Sequence, residues 1–465
     1  MSSTLGSILN TARTSLLAHQ QASQVTAHNL SNAATDGYSR QRVALAANEP
    51  LRTPLGILGT GVHVQDASRV RDALLDGSFR RESAFASGNG IRRELLELAE
   101  TRLAGLGDDG LGATLDAFWD AWSDLASDPL NPAARSSVRT RGDELARHLN
   151  RLGAGIREVE TMGAARLAAA VDRINELAGS IAELNARIVA AESGGHTASD
   201  LRDSRDRMLD ELATLVSIEV VPRENGGIGV AVGGIHIVDG VRALAIELEE
   251  AGGTRALRLE NGTTLSAVGG EVAGLIDALD VDFPWLRGEL DTLARALAVA
   301  VNDLHRQGTN ALGGTGIDFF HVPAGGEGAI TAETIRLSDA VLADARAIAA
   351  GTPTPGGDPR PGANDIALAL AQLRDTPEAS YLGGRTFGDF YTGLVQELGM
   401  KVATARDLEG VHGTLASSLD HRRAAVSGVS TDEELIRLIE FQSAYSAAAR
   451  VVTTVDEMIQ TILGM

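Results

Sequence analysis

Asp303 and His305, in the segment AVNDLHRQG, are a carboxylate and an imidazole two residues apart, a pairing used in general acid–base catalysis. Their context argues otherwise. Leu286, Leu290, Leu293, Leu297, Ala300 and Leu304 recur at steps of four and three, so the stretch is expected to be a helix with His305 as a polar residue on its exposed side. His19 and His28 lie nine apart on another helical stretch and do not face one another, so they make no metal pair. Asp277, Asp280 and Asp282 lack the oxygen-ligand spacing of a calcium loop, and Gly313-Gly314-Thr315-Gly316 lacks the Lys-Ser/Thr that completes a phosphate loop. The chain has no cysteine, which excludes a thiol nucleophile, a disulfide frame and thiolate metal ligands. No catalytic residue, cofactor or metal site is expected.

The elements themselves then have to carry the function. A chain of 465 residues is too long for one ordinary core, so roughly two to four domains are expected. Hydrophobic residues make up 44% and aromatics only 3%, which favours long helices packed through Ala and Leu. With 62 acidic against 41 basic residues, net charge −21, neither nucleic acid nor an anionic membrane is an expected partner. Lys401 is the only lysine and reads as compositional bias. The opening MSSTLGSILNTARTSLL has no basic region followed by a sustained apolar core, so no cleavable signal peptide is expected. The best apolar run, Leu293 to Val301, is broken by Arg295 and is unsuited to crossing a bilayer.

Residues 91 to 125 read as helix in two pieces divided by GLGDDGLG, the second with Leu111, Leu115, Phe118, Trp122 and Leu125 in a heptad-like stripe. Pro129 ends that element and Asn131-Pro132 starts the next. From 133 to 192 the pattern is helical almost throughout, its cleanest seam being Val171, Ile174, Leu177, Ile181, Leu184 and Ile188, closed by Ser193-Gly194-Gly195. Ser199 is expected to cap a further helix carrying Leu201, Arg205, Met208, Leu212 and Leu215. Between Ile218 and Val268 the period changes to two, punctuated by Asn225-Gly226, Asp239-Gly240 and Asn261-Gly262, which favour tight hairpins. Residues 351 to 363, GTPTPGGDPRPGA, hold four of the 12 prolines and read as an exposed loop.

Both chain ends are helical with apolar seams. At the start Leu5, Leu9, Ala12 and Leu16 make a narrow stripe that fades into His19, Ser23 and Thr26. At the end Leu438, Phe441, Tyr445, Ala448, Val452, Val455, Ile459 and Ile462 keep three-four spacing over more than three heptads. Isolated helices with such seams are marginal in water, so both need partners, and the simplest arrangement packs them on each other and on other subunits. Between the first helix and the body lies TAHNLSNAATDGYSRQRVALA, where Asp36-Gly37-Tyr38 reads as a turn and hinge, with Gly37 left-handed and Tyr38 packing at the joint.

The stretch HNLSNAATDGYSRQ and the closing SGVSTDEELIRLIEFQSAYSAAARVVTTVDEMIQTIL resemble the axial proteins of the bacterial flagellum: the rod, hook and hook-associated proteins. LDAFWDAWSDLASDPLNPAARSSV, ASDLRDSRDRMLDELATLVSIEVV and LAVAVNDLHRQG resemble the helical domain of the hook-associated protein 1 family. The resemblance covers roughly half of the chain, in the family's order. Rod and hook proteins turn to β structure soon after the Gly-Tyr motif, whereas here about 120 mostly helical residues follow Arg92, which favours the hook-associated family. Between Phe320 and Asp365 little remains of the outer β domain that many relatives carry.

The resemblance implies a structural, extracellular subunit of the flagellum at the hook–filament junction. It implies export unfolded through the flagellar type III apparatus without signal cleavage, with an export chaperone at the C-terminal region. The implied partners are other copies of the chain in a helical assembly, the hook protein and the next hook-associated junction protein. The alternatives are another axial rod or hook protein, or a secreted wall hydrolase with its activity in 218 to 365.

The expected fold is mainly α, a long antiparallel helical bundle or coiled coil built from both chain ends with a small antiparallel β subdomain inserted. Residues 1–38 and 430–465 form the inner axial pair, disordered in the free monomer. Residues 39–216, 271–350 and 364–429 form the helical bundle, 217–270 the β subdomain and 351–363 the loop. Axial packing is assigned to Leu5, Leu9, Leu16, Leu30, Leu438, Phe441, Tyr445, Ala448, Val452, Val455, Ile459 and Ile462.

Overall fold

The computed structural model describes residues 2–53, 56–104, 110–195, 197–266, 268–356, 358, 360–378 and 380–463. Helix α1 (Ser2–Ser31) leads into a turn in which Gly37 takes φ 71°. The chain then turns to strand. β1 (Gln41–Ala47) pairs antiparallel with β4 (Val62–Arg69), and between them β2 (Leu51–Thr53) pairs with β3 (Gly56–Leu58), making a two-stranded ribbon. This corrects the helical reading of the bundle segment from residue 39. A bulge between Ala44 and Leu45 shifts the alternation of half-buried and exposed positions by one residue, which hides the strand period in the sequence.

The body follows as α2 (Ala73–Ala104), α3 (Leu111–Ser127), α4 (Pro132–Glu192) and α5 (Ser199–Leu215). The break read between α2 and α3 lies largely outside the described residues. The seams of α3 and α4 read from the sequence are buried at every position. Asn131 caps α4 by accepting the Ala133 N–H, with Pro132 at the first helical position. With 61 residues, α4 is roughly 90 Å long. Ser199 does not cap α5: Ala198 holds that position, and its N–H goes to the Glu192 carboxylate at 2.9 Å.

Next come two antiparallel sheets. β5 (Glu219–Pro222), β6 (Ile228–Val232), β7 (Ile235–Asp239) and β8 (Arg242–Ala243) are ordered as they run; β9 (Ile246–Ala251), β10 (Thr254–Leu259) and β11 (Thr264–Leu265) form the second. The three expected Gly-containing turns lie between strands, with Gly226, Gly240 and Gly262 all at positive φ. The sheets lean on α4, where the Asn175 side chain exchanges two 2.8 Å hydrogen bonds with the Ile246 backbone.

α6 (Gly270–Asp277) passes through a π turn at Ala278–Asp282 into α7 (Phe283–His305). Short elements follow: β12 (Thr309–Asn310), α8 (Asp339–Ala343), β13 (Ala349–Gly351) and α9 (Asp365–Gln372). α10 (Phe387–Ser427) returns along α2, and α11 (Thr431–Leu463) completes the chain against α1. Phe118, Trp122, Phe319 and Phe320 pack at the centre of the body. His305 belongs to this cluster, which corrects its expected exposure: it is 1% exposed, shares hydrogen bonds with Ile317 O (2.6 Å) and Ala349 N (2.9 Å), and stands edge-on to Trp122 and Phe319. The loop after α7 folds back over the helix end, and this long-range closure left no local signal.

Candidate assembly surface and its joint

α1 and α11 pair antiparallel, as their contacts show: the rings of His19 and Phe441 lie 6.1 Å apart, Asn29 reaches Glu434, and Leu9 lines a groove with Val452 and Ile459. The face that α1 buries is made of small and polar residues. Ala18, Ala22, Thr26 and Asn29 follow steps of four, four and three, and the Thr26 hydroxyl is satisfied by Ala22 O at 3.0 Å. Small side chains let two helices approach closely, and they carry little hydrophobicity by which to be recognised. Leu5, Leu16 and Leu30 are half-buried and Leu9 is exposed. On α11, Ala448 and Val455 are buried, Leu438, Phe441, Val452 and Ile459 are half-buried, and Tyr445 and Ile462 are exposed. Leu17, Leu435, Ile436, Ile439, Val451 and Met458 add further exposed apolar surface.

At its far end the pair is tied to the body. Glu434, 1% exposed, takes the Arg40 Nε–H at 2.8 Å on one oxygen and the Asn29 amide at 2.9 Å on the other. The same Asn29 donates to Gln41 O at 2.8 Å and accepts the Gln41 N–H at 2.9 Å, extending the start of β1. Tyr38 donates its hydroxyl to Asn29 Oδ1 at 2.8 Å. Burial and the neighbouring carboxylates Asp200, Asp203 and Glu434 push the Tyr38 phenol well up, so it stays a neutral donor. Arg40 N–H donates to Ser427 O, and Val70 N–H to Arg40 O. Gly37 is needed twice over in this turn: its φ is left-handed, and a side chain there would overlap Arg207.

Behind this joint runs a ladder of charges. Asp203, Asp206 and Asp210, at steps of three and four, lie along one side of α5. Asp203 takes the Ser39 N–H and hydroxyl at 2.9 and 2.7 Å. Arg69 bridges Asp203 and Asp206 at 2.6 and 2.7 Å; Arg71 pairs with Asp76 and Asp206; Arg80 reaches Asp210 at 2.6 Å. Arg423, from α10, binds Asp76 and Asp210 and lies over the Phe79 ring. Burial alone would raise the Asp206 carboxyl, but Arg71, Arg69 and Arg80 outweigh it and hold it below the usual carboxylate range.

The structure thus brings Tyr38 and Gly37 to the joint and the two terminal helices against each other, α1 through Ala18, Ala22, Thr26 and Asn29 instead of its leucine stripe. Sequence reasoning missed Asn29, Arg40, Glu434 and the Arg–Asp ladder, although Asn29 and Glu434 stand inside the two quoted terminal stretches. Among the described residues no group of three or more His, Cys, Asp or Glu is placed to hold a metal, and no helix is long and apolar enough to cross a membrane.

Comparison with known proteins bears on this arrangement. Residues 96–320 match the family model described as "Flagellar hook-associated protein FlgK helical domain", and residues 424–465 the one described as "Flagellar basal body rod FlgEFG protein C-terminal". Flagellar hook-associated protein 1 of Bacillus subtilis (strain 168) is 30% identical, the alignment spanning 98% of this chain and 97% of the relative. That of Escherichia coli (strain K12) is 24% identical over 99% and 100%. The fold is similar to "The structure of the flagellar hook junction protein FlgK from Burkholderia pseudomallei", with a TM-score of 0.64 over 77% of this chain and 100% of that one, at 14% identity. A helix pair made from both chain ends and carried on a helical body, with a rod-type C-terminal segment, defines a flagellar axial protein. Within that class, the chain belongs to the flagellar hook-associated protein 1 family.

Proposed function

We propose that the chain is the structural subunit that joins the flagellar hook to the filament, and that it acts by packing and without catalysis. The observation that carries this reading is the apolar surface left on the paired terminal helices, beside a joint whose polar groups are satisfied internally. The pair presents Leu5, Leu9, Leu16 and Leu30 on α1 and Leu438, Phe441, Tyr445, Ala448, Val452, Val455, Ile459 and Ile462 on α11. Ala448 and Val455 serve the pair itself, and the half-buried and exposed members meet neighbouring subunits. The turn at Asp36, Gly37 and Tyr38 sets how the pair leaves the body.

Contacts that repeat head to tail without closing a ring build a helical tube, the symmetry an axial part requires. The partners are further copies of this chain, the hook protein on one side and the next junction protein on the other. Export through the flagellar type III apparatus, without signal cleavage and with a chaperone at the C-terminal region, is part of the same reading, as is mobility of the terminal segments before assembly. The test is complementation of a strain lacking the gene: filaments absent and filament protein shed into the medium until the full-length gene is restored support the reading, and normal filaments without it refute it.

A further inference from the structure

The ribbon holds a surface that the helix-pair account leaves unused. Its β1–β4 part follows α1: Gln41 is held by Asn29, and a side chain at Gly61 would overlap Thr14, so the two elements run together from residue 29 back to about residue 14 of the helix. Beyond Gly61 the ribbon continues as β2–β3, where Leu51 pairs with Leu58 on one face and Arg52 with Ile57 on the other. Leu51, Ile57 and Leu58 are exposed, Ile57 to 69%, so each face of the β2–β3 pair carries an uncovered apolar side chain among the described residues. A two-stranded hairpin with uncovered apolar faces is marginal in water and gains order by being covered. The one charged residue of the segment 51–58 is Arg52.

A surface of matching chemistry lies at the start of α11. Leu435, Ile436 and Ile439 are exposed, Ile436 to 59% and Ile439 to 62%. They share a face with Asp432 and Glu440 through i, i+4 spacing. The β2–β3 pair is apolar and basic; this patch is apolar and acidic. The two do not meet within one molecule: the patch adjoins the joint through Glu434, and β2 ends twelve residues beyond Gln41 along the ribbon, a reach of up to roughly 40 Å.

We infer that Leu51, Ile57 and Leu58 of the β2–β3 pair dock on the Leu435, Ile436 and Ile439 patch of a second copy of this chain, with Arg52 facing Asp432 or Glu440. Different surfaces on the two partners make the contact head-to-tail, so it propagates along an assembly without closing on itself. The inference rests on the axial reading above and adds a named pair of surfaces to it.

The absence of natural cysteine makes the test direct. Full-length Ile57→Cys and Ile436→Cys variants are co-expressed in the deletion strain, and isolated flagella are oxidised and run on a non-reducing gel. The expected result is a disulfide-linked species of twice the chain mass from the mixture, absent when Ile436→Cys is replaced by Leu130→Cys, an exposed position between α3 and α4. A Leu51→Ser/Ile57→Ser variant is expected to enter flagella at least about tenfold less than the unsubstituted chain, at unchanged melting temperature. If the variants enter flagella normally and no cross-link forms, or Ile57→Cys links instead to hook protein, the β2–β3 contact is overturned while the axial reading stands. If the unsubstituted chain itself fails to enter flagella, the axial reading falls first.

Discussion

Asn29 and Glu434, 405 residues apart in the chain, share a buried hydrogen bond of 2.9 Å that fixes the first helix against the last. Removing the carboxylate takes an acceptor from two donors at once, the Asn29 amide, which keeps Gln41 O, and the Arg40 Nε–H, whose guanidinium keeps Glu433. Glu434→Ala is expected to cost on the order of 3–5 kcal/mol at the joint, and Glu434→Gln less, because the amide oxygen still accepts one donor. In isolated flagella, where the pair is assembled, amide exchange should quicken along α1 and α11 and stay slow in α3 and α4; unchanged exchange in α1 would mean the bond does not hold the pair.

Asp206 is the centre of the ladder. Asp206→Asn leaves Arg69, Arg71 and Arg80 with one carboxylate fewer, and a loss of roughly 3–5 kcal/mol is expected in urea unfolding. Because its folded pKa is depressed, the stability it contributes is fully present above the ordinary carboxylate pKa and is lost as pH falls through the folded value. The difference between wild type and Asp206→Asn should therefore shrink in strong acid.

His305 titrates in the opposite sense of charge. Burial first, only partly offset by the Ile317 carbonyl and Asp318, lowers its pKa to about 4, so it is neutral in the folded protein, with Nδ1–H donating to Ile317 O and Nε2 accepting from Ala349. Between about pH 6.5 and 4 the unfolded chain binds a proton that the folded chain does not, so stability falls as pH is lowered through that window, by at most about 1.4 kcal/mol per pH unit from this group. His305→Gln should be less stable at neutral pH and lose that contribution to the slope; an unchanged slope would show that His305 is not the group responsible.

The α11 seam gives a sharper separation of folding from assembly. Val452→Asp and Ile459→Asp place a charge among Leu9, Ala449 and Thr453 at the edge of the helix pair, where an unpaired charge costs several kcal/mol once covered. The body, whose core lies elsewhere, should keep its melting transition while incorporation into flagella fails. Normal incorporation of both variants would remove the seam from the account.

Much of this was legible because it is local. The α3 stripe from Leu111 to Leu125 and the α4 seam from Val171 to Ile188 are strictly periodic, and all are buried; the Asn-Gly and Asp-Gly dipeptides mark real hairpins. What stayed hidden is long-range or disguised. The bulge at Ala44/Leu45 breaks the period of the ribbon, and Ala18 and Ala22 form a seam too small to register as apolar. Arg69 and Asp203, 134 residues apart, look like ordinary surface charges until the fold stacks them. His305 reads as exposed because the loop that covers it comes later in the chain.

Position in the flagellum is the central claim, and a single label tests it. A Leu130→Cys variant of the full-length chain, at an exposed loop site in a protein with no other cysteine, takes a maleimide–gold particle in isolated flagella. Electron microscopy should show gold confined to the boundary between hook and filament. Gold scattered along the filament, or none on flagella that nevertheless carry filaments, would contradict the account.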